Sequence, residues 1–189
     1  MSVEGDLMQH PSRRGARRTI NATVGLAFLL TAMVAGEARA QMAEGELLDA
    51  DGSAIGKVTV TEMARGVHIL AEASGLPPGV HAFHIHAVGI CEPPFTSAGG
   101  HFNPTDAQHG WNNPDGYHAG DLPNVHVQDD GVLAIEYFTD AVTMGDGETS
   151  LFDKDGSSIV IHQGPDDYHT DPAGDAGPRI ACAVIVPPQ

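Results

Sequence analysis

The sequence predicts an all-β protein: a Greek-key antiparallel β-sandwich or barrel with two long functional loops. Three observations lead there. Short β-rich runs dominate the chain, turn residues separate them, and helix-period segments are scarce. The runs are KVTVTEM (57–63), GVHILAEA (66–73), GVHAFHIHAV (79–88), NVHVQ (124–128), GVLAIEYFT (131–139), SIVIHQ (158–163) and IACAVIV (180–186). Between them lie DADGS (49–53), SGLPPG (74–79), TMGDGE (143–148) and DKDGS (153–157). The Asp-Gly pairs at 51–52 and 155–156 lack the ligand spacing and distal glutamate of a calcium loop, so they read as tight turns.

Residues 1–40 do not read as fold. Arg13, Arg14, Arg17 and Arg18 precede the twelve-residue apolar run VGLAFLLTAMVA (24–35), and Ala38-Arg39-Ala40 follows. A basic segment, a short apolar core and a small-x-small site make a secretory signal peptide, cleaved near Ala40. The run is too short to span a bilayer and no second one follows, so the exported chain is expected to have no membrane association. No cysteine stands at the cleavage point to carry a lipid.

The expected mature domain, residues 41–189, has the size of one domain with a real core. Four basic residues (Lys57, Arg65, Lys154, Arg179) face 22 acidic ones, a formal charge of −18 against −16 for the whole chain. Such a domain is repelled by nucleic acid and by anionic membrane, which excludes a nucleic-acid-binding role. Cys91 and Cys182 are the only cysteines. An even count in an exported chain reads as one disulfide; a pair of metal thiolates is the weaker reading, since neither cysteine has a partner at C-x-x-C spacing.

Two segments, about 88–122 and 163–178, are too long and irregular for hairpin loops and are rich in Gly, Pro, His and Asp. Long irregular connections in a compact domain carry function. In the first, His101, His109 and His118 are joined by Asp121, three residues on. Three imidazoles and a carboxylate are a closed tetrahedral zinc set. His84 and His86 lie two apart on a strand run, so they share a face, while His81 has the opposite parity. With His162 of SIVIHQ there are too many ligands for one ion. Copper favours imidazole, and a four-histidine copper site beside the zinc set would require one residue to serve both. His68, His126 and His169 read as ordinary surface or core histidines, and His10 lies in the leader.

The motifs GVHAFHIHAVGIC, SAGGHFNP, HAGDLPN, VIHQGPDDY and GPRIACAVI together resemble the copper,zinc superoxide dismutases of the bacterial periplasm, in that family's order over residues 44–187. The resemblance implies copper ligands His84, His86, His101 and His162. It implies zinc ligands His101, His109, His118 and Asp121, with His101 bridging the two ions. It also implies Asp166 as the carboxylate linking His84 to His109, His81 as a structural histidine, a Cys91–Cys182 disulfide, and Arg179 beside copper. By the same resemblance the chain is a periplasmic enzyme with one copper and one zinc per subunit. It disproportionates superoxide to O2 and H2O2, with His101 and Arg179 as the catalytic residues. Bacterial members of the family occur as dimers and as monomers; a homodimer, with the Trp111 loop facing the partner, is the expectation favoured here over a monomer. The alternative is an exported copper/zinc buffer or carrier with the same fold.

Some positions depart from the pattern. Ala82 and Ala183 stand where the family has glycine, and Ala87 where a polar residue is frequent. The segment QGPDDYHTDPAGDAGP before Arg179 contains no lysine. Guidance of an anionic substrate from that loop is therefore not expected, leaving Lys57, Lys154 or no further cation to supply it.

Overall fold

The computed structural model describes residues 41–187; the expected signal peptide, residues 1–40, lies outside them. The chain folds into nine strands: β1 (Met42–Asp49), β2 (Ala54–Glu62), β3 (Val67–Ala73), β4 (Gly79–His81), β5 (Phe83–His86), β6 (Val125–Val127), β7 (Leu133–Thr139), β8 (Ser157–His162) and β9 (Arg179–Ile185). Seven form one antiparallel sheet in the order β5-β8-β9-β1-β2-β3-β7, and β4 pairs with β6. The last strand returns beside the first three, which is the Greek-key arrangement predicted.

The inner face of the sheet is apolar. Val58 and Val60 of β2, Val67, Ile69 and Ala71 of β3, Phe83 and Ile85 of β5, and Ile159 and Ile161 of β8 converge there. Alternation sends their neighbours outward. On β5 and β8, however, every residue is buried on both faces, because the long connections cover the outer side. A second, smaller core lies under that cover: Phe95, Ala98, Val160 and Cys182. The outer face of β5 and β8 is thus a dry polar floor, and it carries His84, His86 and His162.

Two strand expectations are corrected. Strand β1 was not among the predicted runs, because its inward positions are Ala43, Gly45 and Leu47, too small and too mixed to read as apolar alternation. A Cβ on Gly45 would stand 2.3 Å from the Val184 carbonyl oxygen, so the small residue lets β9 close on β1. The run GVHAFHIHAV is two strands rather than one. It breaks at Ala82, where β4 pairs with β6 and β5 pairs with β8. His81 therefore differs from His84 by sheet as well as by parity.

The two long connections are 87–124, with a 3₁₀ turn at Thr96–Ala98, and 163–178. A third, 140–156, closes on itself through the Thr143–Ser150 bridge and inserts Val142, Met144 and Leu151 into the core. Cys91 and Cys182 are bonded, with Cα atoms 5.7 Å apart, pinning the first connection to β9. A closed loop of this length stabilises the fold by about 4–5 kcal/mol on the chain-entropy account. Reduction is expected to cost about 2–5 kcal/mol. Urea unfolding of the oxidised and reduced forms checks this; coincident midpoints would contradict the role given to the bond.

Candidate metal centre

Strand β5 sets the floor of the site. Its alternation turns Phe83 and Ile85 into the core and leaves His84 and His86 on the outer face. The first connection is brought down onto this strand by two bridge pairs, His84 with Asp121 and His86 with His101. His162 ends β8, opposite Arg179 at the start of β9, with a bulge between Ile161 and His162. These pairings gather residues from 84 to 179 into one place.

Two donor sets result. His84, His86, His101 and His162 form one; His101, His109, His118 and Asp121 form the other, with the ligand atoms of each set within 4.8 Å of one another. All seven residues are buried. His101 belongs to both, and its ring lies 4.0 Å from that of His84 and 5.3 Å from that of His118, centre to centre.

Acceptors around the rim orient the rings. His84 Nε2 donates to Asp166 Oδ2 at 2.9 Å, His86 Nδ1 to the Gly99 carbonyl at 3.0 Å, and His162 Nδ1 to the Gly177 carbonyl at 3.1 Å. Carboxylates and carbonyls only accept, so the outward nitrogen of each ring holds the proton and the inward nitrogen is a bare lone pair. His84 Nδ1 and His101 Nε2 are buried with no hydrogen-bond partner, and His86 Nε2 faces His162 Nε2 at 3.4 Å. In the second set His101 Nδ1 lies 2.7 Å from Asp121 Oδ1 and His118 Nδ1 3.2 Å from the same oxygen. His109 Nδ1 is 3.1 Å from Asp121 Oδ2 but lacks hydrogen-bond geometry. Buried lone pairs converging without donors are costly unless a cation sits among them. The first set fits an ion that favours imidazole, and the second fits zinc.

Asp166 is the link between the sets. Its Oδ1 accepts from His109 Nε2 at 3.0 Å and from the Tyr168 N–H at 2.6 Å, while Oδ2 takes His84. Asn124 clamps the backbone of Asp166 through both amide atoms, at 2.8 and 2.9 Å. Sequence reasoning missed this clamp, and it missed Asp171, which accepts the His109 N–H at 2.7 Å. It also missed Gly174, at φ +65°. A Cβ there would stand 1.9 Å from Asp166 Oδ1 and 2.9 Å from His109 Nε2. The carbonyls of Gly99 and Gly177 have no sequence signal at all, since every residue carries one. His81 is apart from both sets: its ring nitrogens face the His162 carbonyl at 2.9 Å and the Pro77 carbonyl at 2.8 Å.

Arg179 is held by the first connection. Its Nη1 donates to the Phe95 carbonyl and its Nη2 to the Gly99 carbonyl, the same oxygen that orients His86. It lines a cleft of about 260 Å³ with His101, His118, Asn103, Pro172 and Ala173. A small anion entering the cleft meets one guanidinium fork beside the first donor set.

Burial moves the imidazoles of the first set away from protonation. His84 is lowered to about 3 although Asp166 opposes the shift, His162 is lowered to about 4, and His86 falls well below the usual range. Burial also lowers His101, against the pull of Asp121. At His109 burial acts the same way but is outweighed by Asp121 and Asp166, and the group is raised to about 9. Burial would raise both carboxyls, yet the imidazole hydrogen bonds hold Asp121 and Asp166 well below the carboxylate range.

The chain matches the family model described as copper/zinc superoxide dismutase over residues 54–185. It is similar to a Cu-Zn superoxide dismutase of Aquifex aeolicus, 51% identical over 146 residues, covering 76% of this chain and 85% of the relative. A Cu-Zn superoxide dismutase of Caulobacter vibrioides is 46% identical over 139 residues, covering 71% and 80%. Among solved structures, a superoxide dismutase-like protein from Bacillus subtilis superposes with TM-score 0.73 at 38% identity, over 76% of this chain and 97% of that one. The Cu/Zn superoxide dismutase of Brucella abortus gives 0.63 at 28%, over 77% and 99%.

The opposed shifts predict how the metal-free protein responds to pH. His84, His86 and His162 gain protons on unfolding below their unfolded value of 6.5, so stability falls as pH drops from 6.5 toward 3–4. The stabilisation from His109 is complete below 6.5 and is lost as pH rises toward about 9. The urea midpoint of the metal-free protein should therefore peak near pH 6–7 and fall on both sides. A midpoint that rises steadily from about pH 5 to about pH 9 would contradict this.

Proposed function

The chain belongs to the copper/zinc superoxide dismutase family, and on that premise we propose a role for each residue of the site. The protein is an oxidoreductase that disproportionates superoxide to O2 and H2O2, with copper and zinc as cofactors. His84, His86, His101 and His162 hold copper; His101, His109, His118 and Asp121 hold zinc. The supporting observation is the pair of donor sets joined at His101, with lone pairs turned inward by acceptors at the rim. When bound, copper supplies reversible one-electron transfer and zinc a fixed positive charge on the shared ring.

The residues do the rest. Arg179 attracts and orients the anion, its planar fork already fixed by two carbonyls so that little rotamer freedom is lost on capture. His101 Nε2 faces the copper set with no partner and is the atom at which a proton is held when the nitrogen is not ligating. Asp166 keeps the His84 and His109 rings from turning, and the Cys91–Cys182 bond holds the connection whose carbonyls grip Arg179. His81 ties β4 to the end of β8 through the His162 carbonyl.

Arg179→Ala tests the central assignment. Losing a charged hydrogen bond worth about 1.5–3 kcal/mol should lower kcat/KM roughly 10–100-fold with copper and zinc content unchanged. Full activity in a fully metallated variant would remove Arg179 from the mechanism. A metallated wild-type protein without dismutase activity would instead favour the buffer or carrier reading.

Residues 1–40 serve as a signal peptide for export to the periplasm, leaving residues 41–189 as the mature domain. The mature domain forms a homodimer through the face bearing Trp111, Tyr117 and Phe138. Trp111 and Tyr117 are stacked at 4.1 Å and all three rings are exposed, and the cleft beside them carries both Arg65 and Asp140. Arg65 and Asp140 give this face charges of both signs beside its exposed rings, as a self-complementary contact requires. Protein recovered from the periplasm should begin at Gln41 and sediment at twice the chain mass, and Trp111→Ala should sediment as a monomer. A retained leader or a monomeric wild type would count against the corresponding half of this reading.

A further inference from the structure

The charge around the Arg179 cleft has a consequence for the kinetics that goes beyond the activity itself. The cleft lies between the 87–124 and 163–178 connections. Neither contains a lysine or an arginine. Both are acidic: Glu92, Asp106 and Asp115 on the first, and Asp167, Asp171 and Asp175 on the second, are all exposed. The second connection contributes Pro172 and Ala173 to the cleft lining, and neither carries a charge.

The remaining cations in the described residues are elsewhere. Lys57 sits on β2, 3.8 Å from Glu72. Arg65 belongs to the aromatic face with Trp111 and Phe138. Lys154 lies in the 140–156 connection, and none of the three lines the cleft. The whole chain carries −16 and residues 41–189 carry −18, a sign that two divalent ions at the site do not reverse.

We propose that superoxide reaches the cleft against the net field of the protein, with Arg179 the sole cationic side chain on the cleft lining, so that salt accelerates capture. The proposal rests on the dismutase reading and adds how substrate access is controlled. The screening length decides the sign. At ~0.01 M salt the Debye length is ~30 Å and the entering anion feels the acidic surface of the whole domain. At ~0.15 M it is ~8 Å, and what remains is the short-range attraction of Arg179 and the metal centre. The exposed acids of the two connections are then the residues that limit the rate at low salt.

The test uses the copper- and zinc-loaded protein. The second-order rate constant for superoxide is measured by pulse radiolysis between ~0.01 and ~0.15 M sodium chloride, and the association rate of azide with the copper centre is followed over the same range. Both should rise at least about twofold. The double variant Asp106→Asn, Asp175→Asn should be faster than wild type at low salt and equal to it at high salt. Asn is chosen because both positions have positive φ (54° and 51°), which it tolerates. Ala173→Lys should raise the low-salt rate further and make the rate fall with salt. Rates that fall with salt in the unaltered protein overturn the proposal while leaving the dismutase reading intact. Absence of dismutation at every salt concentration overturns the dismutase reading, and the azide arm then still decides the sign of the field.

Discussion

Asp166 accepts from His84 with one oxygen and from His109 with the other, and both donor sets depend on that carboxylate. An imidazole is a ligand only through the nitrogen without a proton, so an acceptor on one side of the ring selects the reactive atom on the other. Asp166 makes that selection for one residue of each set at once. Asn124 and the Tyr168 N–H hold the carboxylate, and Gly174 leaves the space it occupies. The strong depression of its acidity follows from the same contacts, which favour the charged form more than burial disfavours it.

The sheet makes this arrangement possible by being buried on both faces at β5 and β8. On a wet face the three imidazoles would be hydrogen-bonded by water and titrate near their ordinary ~6.5, whereas burial holds them unprotonated well below that pH. Here the 87–124 and 163–178 connections roof the outer face, and Phe95, Ala98, Val160 and Cys182 seal its flank. The disulfide and the two Arg179 hydrogen bonds fasten the same roof to β9. The Gly99 carbonyl serves twice, orienting His86 and accepting from the Arg179 guanidinium.

Charge sets the terms on which that site meets solvent. Inside, the donor sets place neutral imidazoles and a His109 raised by its carboxylate neighbours against two buried carboxylates; outside, the exposed charges of the two connections are all acidic, with no lysine among them. A surface so negative keeps the chain soluble and away from anionic partners, at the expense of repelling an anionic substrate at long range. On the proposed reading, Arg179 offsets this only within a screening length.

Much of the protein was legible in the sequence. Eight of the nine strands coincide with the seven β-rich runs, two of them sharing one run, and the two long connections followed from their length and composition. The residue types at 84, 86, 101, 109, 118, 121 and 162 announced two ions, because so many imidazoles in a chain with few other cations have no structural use. What the sequence could not decide is set by contacts distant along the chain. Strand β1 hid behind Ala43 and Gly45, whose burial depends on β9 closing over them. The break at Ala82 reflects a change of pairing partner. The orientation of each ring depends on backbone carbonyls at Gly99 and Gly177 and on the space left by Gly174. Side-chain identity is written in the sequence; the direction of a lone pair is fixed only when the fold brings an acceptor to the other side of the ring.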